Sequence, residues 1–138
     1  MFTLKQARAW YAQDDGVHGF DHIERVYRLC EKIGPAEGAD MEILLTAALM
    51  HDASGSHPGE GNRSGHHIQS ALFARKQLEQ AGWPEEKIQA VEHCIRAHRF
   101  RKGEKAHSIE AKVLFDADKL DVIGAIGVTR ALAYAFQV

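Results

Sequence analysis

The chain has 138 residues, of which 45% are hydrophobic and 26% charged, with a formal net charge of −2. That length suits a single domain able to bury a core without disulfides or a structural metal, and the near-balanced charge gives no reason to expect a nucleic-acid partner. Cys30 and Cys94 lack a CxxC partner, the N-terminus lacks the apolar run of a signal peptide, and no stretch reaches transmembrane length, so the expectation is a reduced, cytoplasmic protein with no membrane association.

The punctuation of the sequence predicts helices throughout. Thr3 can cap a first helix to about residue 13, ahead of the turn-like Asp14-Asp15-Gly16. A second is expected over 19–33, stopped by Gly34-Pro35. Asp40 can cap a third that ends near Asp52, and Ser64 a fourth to Ala81 with Gly82 as its terminal signal. Pro84, at a first helical position, opens a fifth to His98. After the loop RFRKGEKAH, Ser108 caps a sixth helix to about Val122, and a separate apolar helix is expected over 124–138. Its uncapped apolar end suggests a partner surface or a domain that continues. There is no alternating strand pattern, repeat or low-complexity tract. The expected class is all-α, one domain over 1–138.

Histidine is the unusual component. There are nine, grouped as His18 and His22, His51 and His57, His66 and His67, then His93, His98 and His107. Stepping three or four residues along each helix extends the apolar stripes onto ligand-capable side chains. Ile33, Cys30 and Val26 lead back to His22; Leu44, Ala47 and Ala48 lead on to His51; Leu78, Ala74 and Ala71 lead back to His67. Ile88, Val91 and Ile95 lead on to His98, and Leu114 is followed one turn later by Asp118. One such histidine is commonly a core residue bonded to a backbone carbonyl. An inward aspartate is costlier, because a buried carboxylate must be paired or bind a metal. A shared cation satisfies several of them together. Imidazole nitrogens with two carboxylates and no thiolate argue against structural zinc and suit Mn²⁺, Fe²⁺, Co²⁺, Ni²⁺ or catalytic Zn²⁺, with Mg²⁺ a poorer match.

These residues also carry a family resemblance. "DHIERV", "LMHDAS" and "DADKLD", in that order on three helices, resemble the HD-domain metal-dependent phosphohydrolases over roughly residues 15–130. "VHGFDH", "DADKLDVIGAIG" and "AHRFRKG" look like a bacterial branch of small HD hydrolases that includes nucleotide pyrophosphohydrolases. The resemblance implies a helical HD fold with the metal site between helices. It implies a divalent ion (Mn, Ni, Co, Fe, Zn or Mg) held by His22, His51, Asp52 and Asp118, one ion being expected and a second allowed. Asp116 and Asp121 are rivals to Asp118. Asp116 lies roughly 160° round the helix from it, and Asp121, one turn on, suits a supporting hydrogen bond or a helix pair.

The activity implied is hydrolysis of a phosphate ester or anhydride, the partner being a small phosphorylated substrate, expected to be a nucleotide. Asp52, Arg63, His67 and His98 are the expected catalytic groups; Arg25, His18, His66, Arg99 and Lys119 the expected substrate contacts, with Arg101 a further cation. "HDASG" lacks the glutamate that some nucleotidase members place after the HD pair, which leaves the general base between Asp52 and a metal-bound hydroxide. The loop 55–65 is glycine-rich but lacks the Gly-Lys-Ser/Thr ending of a P-loop. Trp10, Trp83 and Phe100 read as core or surface residues, not base platforms. A non-catalytic metal-binding sensor and a di-iron oxygenase are the alternative readings.

Overall fold

The computed structural model describes residues 2–11, 20–53, 66–98 and 104–136, with His66 and 124–136 described in backbone alone. Among the described residues six helices follow one another: α1 Leu4–Arg8, α2 Phe20–Glu37, α3 Met41–Met50, α4 His66–Gln80, α5 Glu85–Ala97 and α6 Ile109–Phe136. No strand occurs among the described residues, so the chain is all-α, as its patterning predicts. No helix is long and apolar enough to cross a membrane among the described residues.

The helix starts follow the expected chemistry. Thr3 and Gln6 form a reciprocal capping box, each side chain meeting the other's backbone N–H. The Asp40 carboxylate accepts from the N–H groups of Glu42 and Ile43 at 3.1 and 3.4 Å. Pro84 is the residue before α5, one position earlier than predicted. The Ser108 hydroxyl accepts from the Ala111 N–H at 3.1 Å. Ser64 lies outside the described residues.

Two helix ends close in the same way. Gly82, at φ +79°, lets the Trp83 N–H reach Leu78 O and the Gly82 N–H reach Glu79 O. Gly38, at φ +73°, lets the Ala39 N–H reach Gly34 O and the Gly38 N–H reach Pro35 O. The second case corrects the sequence expectation, because α2 does not stop at Gly34-Pro35. Proline in a last turn forfeits one intrahelical bond, and the terminal glycine, not the proline, decides where the helix ends. A second correction concerns α6. It runs unbroken through Gly124 and Gly127 to Phe136, where two separate helices were expected; glycine weakens a helix without obliging it to end.

At the centre lies α3, whose residues Ile43 to Met50 are all buried, as a helix apolar on every side requires. Around it stand α1, α2, α4, α5 and α6, all of which touch it. Val26 and Cys30 of α2, Ala74 and Leu78 of α4, Val91 and Ile95 of α5, and Leu114 and Ala117 of α6 close the core. Trp10 and Trp83 pack at its edge with Phe2 and Phe73. Arg75 ties α4 to α5 through Glu85 at 2.8 Å and Glu92 at 2.5 Å. Because α3 is enclosed, its C-terminal end delivers His51 into the interior.

Replacing Gly82 by alanine places a Cβ in the left-handed region, and the expected cost is about 1–2 kcal/mol. Urea unfolding would register it as an earlier midpoint at unchanged slope; an unchanged midpoint would contradict the assigned helix end.

Candidate metal centre

Four helices bring side chains to one point. His22 comes from the first turn of α2, and His51 is the residue that ends α3, followed by Asp52. His98 ends α5, and Asp118 stands midway along α6. The ligand atoms of His22, His51 and Asp118 lie within 4.8 Å of one another, and so do those of His51, Asp52 and His98. The two sets share His51.

The hydrogen bonds behind the rings define the chemistry in front of them. His51 Nδ1 donates to Ala48 O at 2.7 Å, and His98 Nδ1 donates to Ile95 O. A carbonyl can only accept, so each Nδ1 carries a proton and each neutral ring turns a bare Nε2 inward. His22 Nδ1 lies 2.6 Å from Asp121 Oδ2, which places its proton on the same side of the ring.

The inward atoms therefore face one another as acceptors. His22 Nε2 is 2.9 Å from Asp118 Oδ1, and His51 Nε2 is 3.4 Å from that oxygen and 3.6 Å from Asp52 Oδ2. His98 Nε2 is 3.6 Å from Asp52 Oδ1. His51 is fully buried, and its Nε2 makes no hydrogen bond. Lone pairs and carboxylates pointed at one another are repulsive unless a proton or a cation lies between them. This donor set, nitrogen and oxygen without sulfur, fits a divalent metal of the Mn to Zn series.

Without the metal, protons take that role. Burial opposes charge on His51, yet the Asp52 and Asp118 carboxylates outweigh it and hold the imidazole up to about 9. For Asp52 burial again opposes ionisation, and His51 and His98 prevail, keeping the carboxyl well below its usual range. Asp118 behaves likewise through His22 and His51.

A buried tyrosine supports the turn that carries the HD pair. The Tyr11 phenol donates to Leu49 O at 2.6 Å and shares a hydrogen bond with the backbone of Asp52. It thereby links the last turn of α3 to the second residue beyond the helix. Sequence reasoning missed Tyr11, which stands 38 positions from its partner in a segment with no chemical motif.

The remaining candidates divide three ways. His67 is half-buried in the first turn of α4 and belongs to neither converging set. His18, Arg63, Arg99 and Arg101, and the side chain of His66, lie outside the described residues. Two of the expected substrate contacts fall among the described residues. Lys119 is exposed and lies 5.7 Å from the Phe115 ring centroid, because the residue after Asp118 is turned about 100° away. Arg25 is bound to Asp121 through Nε at 2.7 Å and Nη2 at 3.3 Å, in a cleft also lined by Asp21, Glu24, Arg28 and Lys32. Asp116 is exposed, so the helix rotation that disfavours it in the sequence holds.

Comparison with known proteins bears on the family and the fold. The sequence profile described as HD domain matches residues 19–123. An uncharacterised protein of Bacillus subtilis, YpgQ, is 36% identical over 98% of this chain and 69% of its own length. An uncharacterised Clostridium beijerinckii protein is 31% identical over 75% of this chain and 64% of its own length. A crystal structure of a predicted HD superfamily hydrolase from an uncultured Thermotogales bacterium superposes with a TM-score of 0.78 at 30% identity, covering 95% of this chain and 72% of the other. The crystal structure of B. subtilis YpgQ in complex with ADP gives 0.67 at 36% identity, covering 96% and 67%.

Proton and metal compete for the same nitrogen, and this sets the expected pH dependence. The folded pKa of His51 is raised, so its stabilising contribution to the metal-free protein is complete below 6.5 and disappears as pH rises through about 9. Over the same interval Mn²⁺ affinity should rise, by up to about tenfold per pH unit for one displaced proton. Titration calorimetry at about pH 6.5 and about pH 8, with unfolding of chelator-treated protein alongside, measures both. An affinity that does not change with pH would contradict the convergence of Nε2 atoms.

Proposed function

The chain belongs to the HD-domain family, its site is that of a metal-dependent hydrolase, and we propose that it cleaves a phosphate ester or anhydride of a nucleotide. One observation carries the reading: the buried His51 Nε2, which makes no hydrogen bond, is shared by two converging groups, His22 with Asp118 and Asp52 with His98. The nucleotide part of the proposal draws on the YpgQ relative, whose structure holds ADP.

In this reading His22, His51, Asp52 and Asp118 hold one divalent cation. When bound, the ion supplies a Lewis acid and a water that ionises near neutral pH. The chain's own residues do the rest. Asp52, whose carboxylate lies 3.6 Å from both His51 Nε2 and His98 Nε2, is the group proposed to accept a proton from the attacking water. Asp52 Oδ1 faces His98 Nε2 at 3.6 Å, and that nitrogen can take the proton onward because Nδ1 is already committed to Ile95 O. This assigns the general base to the Asp52–His98 pair in a chain without the nucleotidase glutamate. The enclosed wall behind His51 keeps bulk water from competing. Substrate phosphate is assigned to the open side, with His67, Arg63, Arg99, His18 and His66 as the proposed contacts.

The test is a panel of nucleoside mono-, di- and triphosphates incubated with protein and Mn²⁺, read by the identity of the released product. Turnover should fall at least about 100-fold in Asp52→Ala and in His98→Ala. A protein that binds Mn²⁺ yet releases neither phosphate nor pyrophosphate from any member would refute the hydrolase proposal and favour a sensor.

A further inference from the structure

The three site histidines are not oriented by the same means. His51 and His98 each end a helix, where the last carbonyls lack intrahelical partners, and each returns its Nδ1–H to the carbonyl three residues back. His22 sits in the first turn of α2, where the free backbone groups are N–H donors. No carbonyl of its own helix is free there to hold Nδ1–H. An acceptor has to come from another element, and α6 supplies it: Asp121 Oδ2 lies 2.6 Å from His22 Nδ1.

Asp121 is itself held. Its side chain is 10% exposed, and Arg25 grips it with Nε on Oδ1 at 2.7 Å and Nη2 on Oδ2 at 3.3 Å. Arg25 follows His22 by one turn of α2, and Asp121 follows Asp118 by one turn of α6. Two rungs thus join the helices, His22 to Asp118 and Arg25 to Asp121, with His22 to Asp121 as the diagonal.

We propose that Arg25 and Asp121 form a positioning relay that fixes His22 as its Nδ1–H tautomer and so presents Nε2 to the metal. The inference rests on the ligand role given to His22 above, though not on hydrolysis. It also replaces the expectation that Arg25 contacts phosphate. The carboxylate is specifically required, because both of its oxygens must accept at once: Oδ1 from Arg25 and Oδ2 from His22. An asparagine has one acceptor oxygen. The charged guanidinium takes that oxygen, since a charge-assisted bond is the stronger one, and the amide NH₂ is then turned toward His22 Nδ1. A donor there forces the imidazole proton onto Nε2, where it blocks the ion.

The experiment is calorimetric titration of the metal-free 138-residue chain with Mn²⁺ alone. Asp121→Ala should weaken binding about 10- to 100-fold, and Arg25→Ala should weaken it less. The isosteric Asp121→Asn should be no better than Asp121→Ala. Combining Arg25→Ala with Asp121→Asn should recover part of the affinity, because the amide is then free to rotate and accept from Nδ1–H. A merely structural ion pair would give the opposite order, with asparagine the mildest change and the double variant the worst. That order overturns the relay, as does an unchanged affinity in Asp121→Ala. A wild-type protein that takes up no Mn²⁺ would overturn the ligand reading itself, whereas normal Mn²⁺ binding without any turnover would leave the relay intact and refute only the hydrolase proposal.

Discussion

The buried lone pair of His51 is the constraint from which the rest of the site follows. Its ring is fully enclosed, its Nδ1 proton is committed to Ala48 O, and its Nε2 looks out on the carboxylates of Asp52 and Asp118. A buried polar group left without a partner costs on the order of 1–3 kcal/mol, and uncompensated carboxylates beside it would cost more. The arrangement makes sense only when a positive charge shares the space. In the metal-free protein that charge is a proton, which is why burial fails to keep His51 neutral. Metal binding and folding are therefore linked at a single nitrogen.

The fold delivers this by helix termini. Because α3 is buried on every side, its C-terminal end must open inside the protein, and the HD pair is what emerges there. The end of α5 arrives beside it with His98, while α2 and α6 lie against each other so that His22 and Asp118 complete the ring. Helix ends also provide the orienting acceptors at no cost in extra residues, since their carbonyls are otherwise unpaired. Tyr11 bridges the Leu49 carbonyl and the Asp52 backbone, so the segment just after α1 contributes to where the Asp52 carboxylate sits.

Much of this was legible in the sequence, for a physical reason. Helical periodicity places His22, His51, His98 and Asp118 on core-facing stripes, and an interior position for so many polar groups has few explanations. The same periodicity separates Asp118 from Asp116, which is exposed. It does not reach Asp52, which follows the end of α3 and was assigned from the family resemblance. Single-helix reasoning also fails where two helices meet. Arg25 resembles a free cation until Asp121 of α6 is placed beside it, and Tyr11 has no signal at all because its partners are distant in the chain. In the fold itself, Pro35 was overweighted, since the positive φ of Gly38 is what ends α2, and the glycines of α6 were taken for a break that the helix does not make.

The most direct test of the central claim is a crystal structure of Mn²⁺-soaked protein, with data collected at the manganese absorption edge. The account predicts an anomalous peak about 2.0–2.3 Å from the Nε2 atoms of His22 and His51 and from carboxylate oxygens of Asp52 and Asp118. Each imidazole Nδ1 should keep its present acceptor. Full soaking with no peak among these atoms, or with Nδ1 and not Nε2 turned toward the ion, would contradict it.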